Sequence, residues 1–158
     1  MWCYNDVMGG VLDVPIVLDT NVVFEGMTRK DGASALIVDG WRSGVLSVGV
    51  CDALAYEYFD VLSRKLSPER WRQVQPALRE LLLTARFVTV RFTWRPSSPD
   101  PGDEHVIDCA MNANAFLITW NVKDFRRAVE HLHLVVMTPP DYVYWVGSHL
   151  PESVDWAL

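Results

Sequence analysis

Four stretches of the chain set acids or amides where the surrounding pattern is apolar. In "VPIVLDTNVV", residues 14–23, Asp19 ends a run that reads as a buried strand. In "ALAYEYFDVLSRK", Leu54, Tyr58, Val61 and Leu62 recur at helical spacing, and Glu57 falls on the same stripe, three residues after Leu54 and four before Val61. Asp103 stands three and four residues before Val106 and Ile107, where the apolar face of another helix begins. In "TWNVKDF", Thr119, Asn121 and Asp124 follow a strand pattern and should emerge at that strand's carboxyl end.

Each acid also has a local reading. Asp19 suits the cap of a following helix, Glu57 a salt bridge to an arginine, and Asp103 the positive end of a helix dipole. Together they have a simpler common reading, a hard divalent cation held by carboxylate oxygens, for which Mg²⁺ or Mn²⁺ is the expected occupant. An unpaired buried carboxylate is costly enough to demand a proton or a cation. Such a site suits phosphodiester cleavage, because a bound ion polarises the phosphoryl group and makes water a better nucleophile. Glu104 and Asp108 are expected to turn away from the stripe, His105 to be exposed, and Asp60 to be solvated with Arg64 four residues on.

The elements that must position these groups alternate. An apolar run at 14–18 reads as a strand, and "DGASALIVDGWRSG" as a helix stopped at Gly44. "VLSVGVC" reads as a second strand, with Asp52 capping the helix that carries Glu57. "SPERWRQV" and "PALRELLL" each open with a proline in the first turn, as two short helices or a helical hairpin would, and "RFVTVRF" is strand-like. After the Pro/Ser loop "RPSSPDPG", Asp100-Pro101 signals the start of a helix over about 101–114; "AFLITW" and "LVVM" read as strands flanking a helix in "VKDFRRAVE". Alternating strands and helices predict an α/β protein, a three-layer α/β/α sandwich with a mainly parallel central sheet. Residues 1–13 read as an extension, 14–147 as the domain and 148–158 as a tail.

Length and charge narrow the classes. With 158 residues, half of them apolar, the chain suits one domain. A net charge of −6 argues against a broad electropositive face gripping nucleic acid by charge alone. Cys3, Cys51 and Cys109, odd in number and widely spaced, read as core residues of a reducing cytoplasm, and no run suggests a membrane span.

These motifs resemble those of PIN domains, most of all the toxin ribonucleases of the VapC type. The resemblance rests on "VLDTNV", "YEYFDVLSR", "DPGDEHVIDCAMNANAFLITWNVKDF" and "VVMTPPDYV", in the family's order, over roughly residues 14–145. It implies that Asp19, Glu57 and Asp103 are the first three metal-binding acids. Asn121 stands where many members have a fourth Asp, which questions a second ion; Asp124 either restores that charge or caps a helix. Thr119 is expected to hydrogen-bond an acid or water, and Asn21 to orient Asp19 or shape a turn. These two, with Lys123 and Arg126, are the substrate-side candidates, and Arg127 joins them as a phosphate contact. Arg70, Arg72 and Arg79 are weaker ones. The resemblance further implies an RNA substrate, a cognate antitoxin and a homodimer. A binding-only module of the same fold and an aspartyl-phosphate phosphatase with Asp19 as nucleophile are the rivals; Asn21 argues against the latter. A zinc site at His131 and His133 lacks an evident third ligand. The many tryptophans and "DYVYWV" suit either the core or a protein interface.

Overall fold

A computed structural model of the chain describes residues 12–150. Cys3, the extension up to residue 11 and the tail from residue 151 lie outside that range. The elements run β1 (Ile16–Leu18), α1 (Thr20–Thr28), α2 (Ala33–Arg42), β2 (Gly49–Val50), α3 (Asp52–Lys65), α4 (Pro68–Thr84) and β3 (Arg86–Phe87). A 3-10 turn at Pro101–Asp103 leads into α5 (Glu104–Ala113), followed by β4 (Phe116–Ile118). A second 3-10 turn at Val122–Phe125 leads into α6 (Arg126–Leu132), then β5 (Val136–Met137) and α7 (Pro139–His149).

All named strand pairs are parallel. β1 pairs β4, and β4 pairs β5; β2 pairs β3, and a bridge from Ile16 to Val48 joins the two groups. The resulting order is β3-β2-β1-β4-β5, an all-parallel sheet among the described strands. Its central strands are buried on both faces, as the continuous apolar runs "IVL" and "FLI" require. Helix α5 packs across β1, β2 and β4, while α1, α2, α3 and α7 pack on one another to complete the α/β/α layers. No helix among the described residues is long and apolar enough to cross a membrane.

Several elements differ from the sequence reading. The two short helices are one, α4, which carries Pro76 in its interior. Pro76 is exposed, so water can take the carbonyl left without a donor, while Leu78 and Leu81 hold the helix to the core. "RFVTVRF" pairs only at its first two residues. The side chain of Asn112 then takes over the backbone, accepting from the N–H of Arg91 and Phe92 at 2.9 and 3.1 Å and donating to the Phe92 carbonyl at 2.8 Å. Cys51, not Asp52, occupies the cap position of α3, and Asp52 is its first residue. Helix α7, over the aromatic segment, escapes the sequence pattern, and α1, foreseen only through the Asp19 cap, follows β1 directly. In α7, Tyr142 is buried, Trp145 meets Phe116 edge to face at 5.1 Å, and Tyr144 is 79% exposed.

Candidate active site

Strand order reverses between β1 and β4, and in such sheets a crevice opens beyond the carboxyl ends at that point. Asp19 follows β1 there and Thr119 follows β4. Asp19 caps a helix with one oxygen and is held across the crevice by the other. Its Oδ1 caps α1 by accepting the Thr20 N–H at 2.8 Å, while Oδ2 accepts the Thr119 hydroxyl at 2.7 Å and the Asn21 amide at 3.3 Å. Thr119 Oγ1 in turn accepts the Asn121 N–H at 3.0 Å, and Asn21 Oδ1 accepts the Trp120 N–H at 3.3 Å. The carboxylate is only 8% exposed, and burial pushes its pKa upward against these hydrogen bonds; the Glu57 charge adds to the rise and His105 opposes it. The Tyr58 hydroxyl donates to the Leu18 carbonyl, tying α3 to the end of β1.

Glu57 finds a partner, but not an arginine. His105 of α5 meets it, Nε2 to Oε2, at 2.7 Å. His105 is therefore half-buried rather than exposed, and the hydrogen bond to Glu57 raises its pKa despite desolvation. The helical wheel missed it because α5 buries more than one stripe. Asp103 ends the 3-10 turn that Asp100 starts by accepting the Gly102 N–H at 2.9 Å. Desolvation, then the charges of Asp19, Asp100, Asp124 and Glu57, push Asp103 up to about 6. Acids far apart in sequence thus share one electrostatic field.

Glu104 and Asp108 turn away from the stripe as expected, but toward residues 94–97 rather than into the open. Both are buried and hold the segment before α5. Asp108 accepts from Arg95 at 3.0 and 3.2 Å; Glu104 accepts the Ser97 N–H at 3.1 Å and lies 3.5 Å from Arg95. Asp60 does pair with Arg64, at 2.8 Å. Asn121, Lys123, Asp124 and Arg126 are exposed, and none of the four has a side-chain hydrogen bond or ion pair among the described residues. The Asn121 carbonyl accepts the Asp124 N–H at 3.0 Å. Arg70 and Arg72 are engaged on backbone carbonyls of Thr28 and Pro68. His133 adopts a left-handed conformation that ends α6. Cys51 and Cys109 are both buried, and the Cys109 thiol lowers the Cys51 pKa against desolvation.

The donor chemistry of Asp19, Glu57 and Asp103 fits a hard dication, since all three offer carboxylate oxygens and Asp103 carries a raised pKa that a positive charge would relieve. As placed, no three His, Cys, Asp or Glu side chains among the described residues are close enough to hold an ion together. Glu57 is turned onto His105, so loading requires its free oxygen or a shift of that pair.

No curated protein matches the chain. A family model described as PIN domain matches residues 15–123, a span that opens just before β1 and takes in Asp19, Glu57, Asp103 and Asn121, and the chain belongs to the PIN-domain family.

Proposed function

We propose that the protein is an Mg²⁺- or Mn²⁺-dependent endoribonuclease acting as the toxin of a toxin–antitoxin pair in the cytoplasm. PIN domains are generally nucleases that use divalent ions. The observation that carries the reading is the buried Asp19 carboxylate, held by Thr119 and Asn21 where the strand order reverses, with the charges of Asp19 and Glu57 both bearing on Asp103 after desolvation. Like charges gathered in a partly desolvated crevice are poor structural choices and good cation ligands.

In this reading Asp19, Glu57 and Asp103 hold the ion, with Asp124 on the outer side. When bound, the ion supplies polarisation of the phosphoryl group and acidification of water. The chain's own residues prepare that chemistry. Thr119 and Asn21 fix the Asp19 carboxylate, whose Oδ2 has two donors and whose Oδ1 is spent on the helix cap. His105 fixes Glu57. Asn121 is anchored by its own N–H on Thr119, which leaves its amide side chain for a water or a phosphate oxygen. Lys123 and Arg126, both exposed, supply the rim that receives RNA phosphates. An antitoxin that covers the acids, and a homodimer, complete the reading.

The neutral Asn121 favours a rival in which the fold only binds RNA or a partner. A nucleophilic Asp19 is disfavoured, since Asn21 stands where the second acid of that chemistry would be. The test is RNA cleavage during a Mn²⁺ titration. Metal-dependent cleavage by wild type, reduced at least 100-fold in Asp19→Asn, is expected. RNA binding without turnover at any metal concentration would leave the binding module.

A further inference from the structure

Away from the acids, a cavity of about 170 Å³ opens between the segment before α5 and helix α6, lined by Trp94, Pro96, Ser97, Arg127, His131 and Leu132. Its composition is unlike that of the larger groove beside α7, where Ala33, Ala35, Leu36 and Val143 sit among charges of both signs. Here an indole and two basic side chains line one cavity. Arg127 and His131, one helical turn apart on α6, are exposed and have no hydrogen bond or ion pair among the described residues. Arg95, by contrast, is neutralised by Asp108 and Glu104 and serves to hold the wall. Ser97 is only 4% exposed, and its hydroxyl has no hydrogen-bond partner among the described residues. A buried hydroxyl without a partner is costly and suits a ligand that supplies one.

The wall is built rather than loose. Glu104, Asp108 and Asn112, four residues apart along α5, bind the backbone of residues 91–97, so Trp94 is presented from a segment fixed at several points. Phe92, two-thirds exposed, packs at 6.4 Å from Trp94 and extends the aromatic surface outward. Arg91 stands beside it, also exposed. Aromatic faces interleaved with cations suit single-stranded nucleic acid, whose bases stack while its phosphates meet the charge. Both walls of the cavity are joined along the chain to elements of the candidate site. Helix α6 follows directly on the turn that holds Asn121 and Asp124, and Glu104 adjoins Asp103.

We propose that this cavity is a nucleotide subsite, in which one base of a single-stranded RNA stacks on Trp94 and its phosphate meets Arg127 and His131. The inference rests on the ribonuclease reading and extends it from the scissile bond to a flanking nucleotide. An acidic protein segment is the competing occupant; the aromatic face and the unpartnered Ser97 hydroxyl favour a base.

Binding of a fluorescently labelled single-stranded RNA octamer, followed by anisotropy in excess EDTA, reads the subsite without cleavage. Trp94→Ala is expected to weaken binding about tenfold and Trp94→Phe to restore most of it. Arg127→Ala, at an exposed position that the fold does not need, is expected to weaken binding several-fold and to lower the salt dependence by about one phosphate contact. Affinities within twofold of wild type for both Trp94→Ala and Arg127→Ala would overturn the subsite. So would variants that bind RNA normally but lose a protein partner. Metal-dependent cleavage by wild type is measured alongside: its survival when the variants bind normally removes the subsite alone, and its absence removes the nuclease reading as well.

Discussion

Asp19 meets two demands with one carboxylate, because the residue that ends β1 must also start α1. One oxygen closes the helix and the other faces the crevice, held by Thr119 and Asn21. Its placement was legible because an acid ending an apolar run has few cheap explanations. His105, Glu104 and Asp108 were not legible, since the stripe of α5 accounts only for the side against the sheet. The segment 91–98 and helix α3 cover the rest, and contacts that distant in sequence leave no local period. Asp103 carries a pH signature. Its proton is retained up to about pH 6 in the folded protein, against 3.8 for an unperturbed Asp. A raised acid binds its proton more tightly in the fold, so its contribution to stability is greatest below the unfolded value and is lost as pH rises through 6. His105 and Asp19, also raised, add in the same direction. Without divalent metal, the melting temperature is expected to rise as pH falls from 7 to 5, and Asp103→Asn to flatten that slope without abolishing it. Equal slopes in both proteins would show that the Asp103 proton is not held by the fold.

At the scale of elements, α5 decides more than any other. It lies on three strands, places Asp103 and His105 at its start, and binds residues 91–97 along its outer side. The sequence revealed its beginning and end, through Asp100-Pro101 and a run that stops before Asn114, which is left-handed at φ 50°. It gave no sign that "RFVTVRF" would be held by an asparagine. β-branched and aromatic spacing reports a half-buried extended backbone, and that backbone is extended whether a strand or a side chain satisfies it. The apolar pattern hid α1, because Val22 and Val23 continue the run of β1 and only the Asp19 cap pointed to it; α7 went unread although Thr138 before two prolines and an acid marks its start. Asn112 makes four hydrogen bonds, three of them to Arg91 and Phe92 backbone and one to the Asp108 carbonyl. Asn112→Ala is therefore expected to cost about 1–3 kcal/mol, because it frees backbone groups that no strand replaces. Faster amide exchange at Arg91 and Phe92, with that at Val17 and Leu117 unchanged, would localise the loss. A uniform increase would mean that the segment is not held separately from the sheet.

Across the whole molecule, a net charge of −6 and a cluster of acids at the strand-order switch act in the same direction. Each raises the free energy of the folded, metal-free protein, the first diffusely and the second within one crevice. Salt relieves the diffuse part by screening at any ion valence, whereas only an ion that enters the crevice relieves the local part. The two are separable by experiment. At a Mn²⁺ concentration 100 times its dissociation constant, binding to the folded state alone stabilises by about 2.7 kcal/mol, a rise of roughly 5–10 °C in melting temperature for a chain of this size. NaCl at equal ionic strength is expected to give a small fraction of that shift. Asp19→Asn and Glu57→Gln should lose most of the Mn²⁺ increment while keeping the NaCl response, because each removes a ligand charge and leaves the remaining net charge almost as it was. If Mn²⁺ and NaCl stabilise equally, or if both variants retain the full increment, the acids repel one another without sharing an ion.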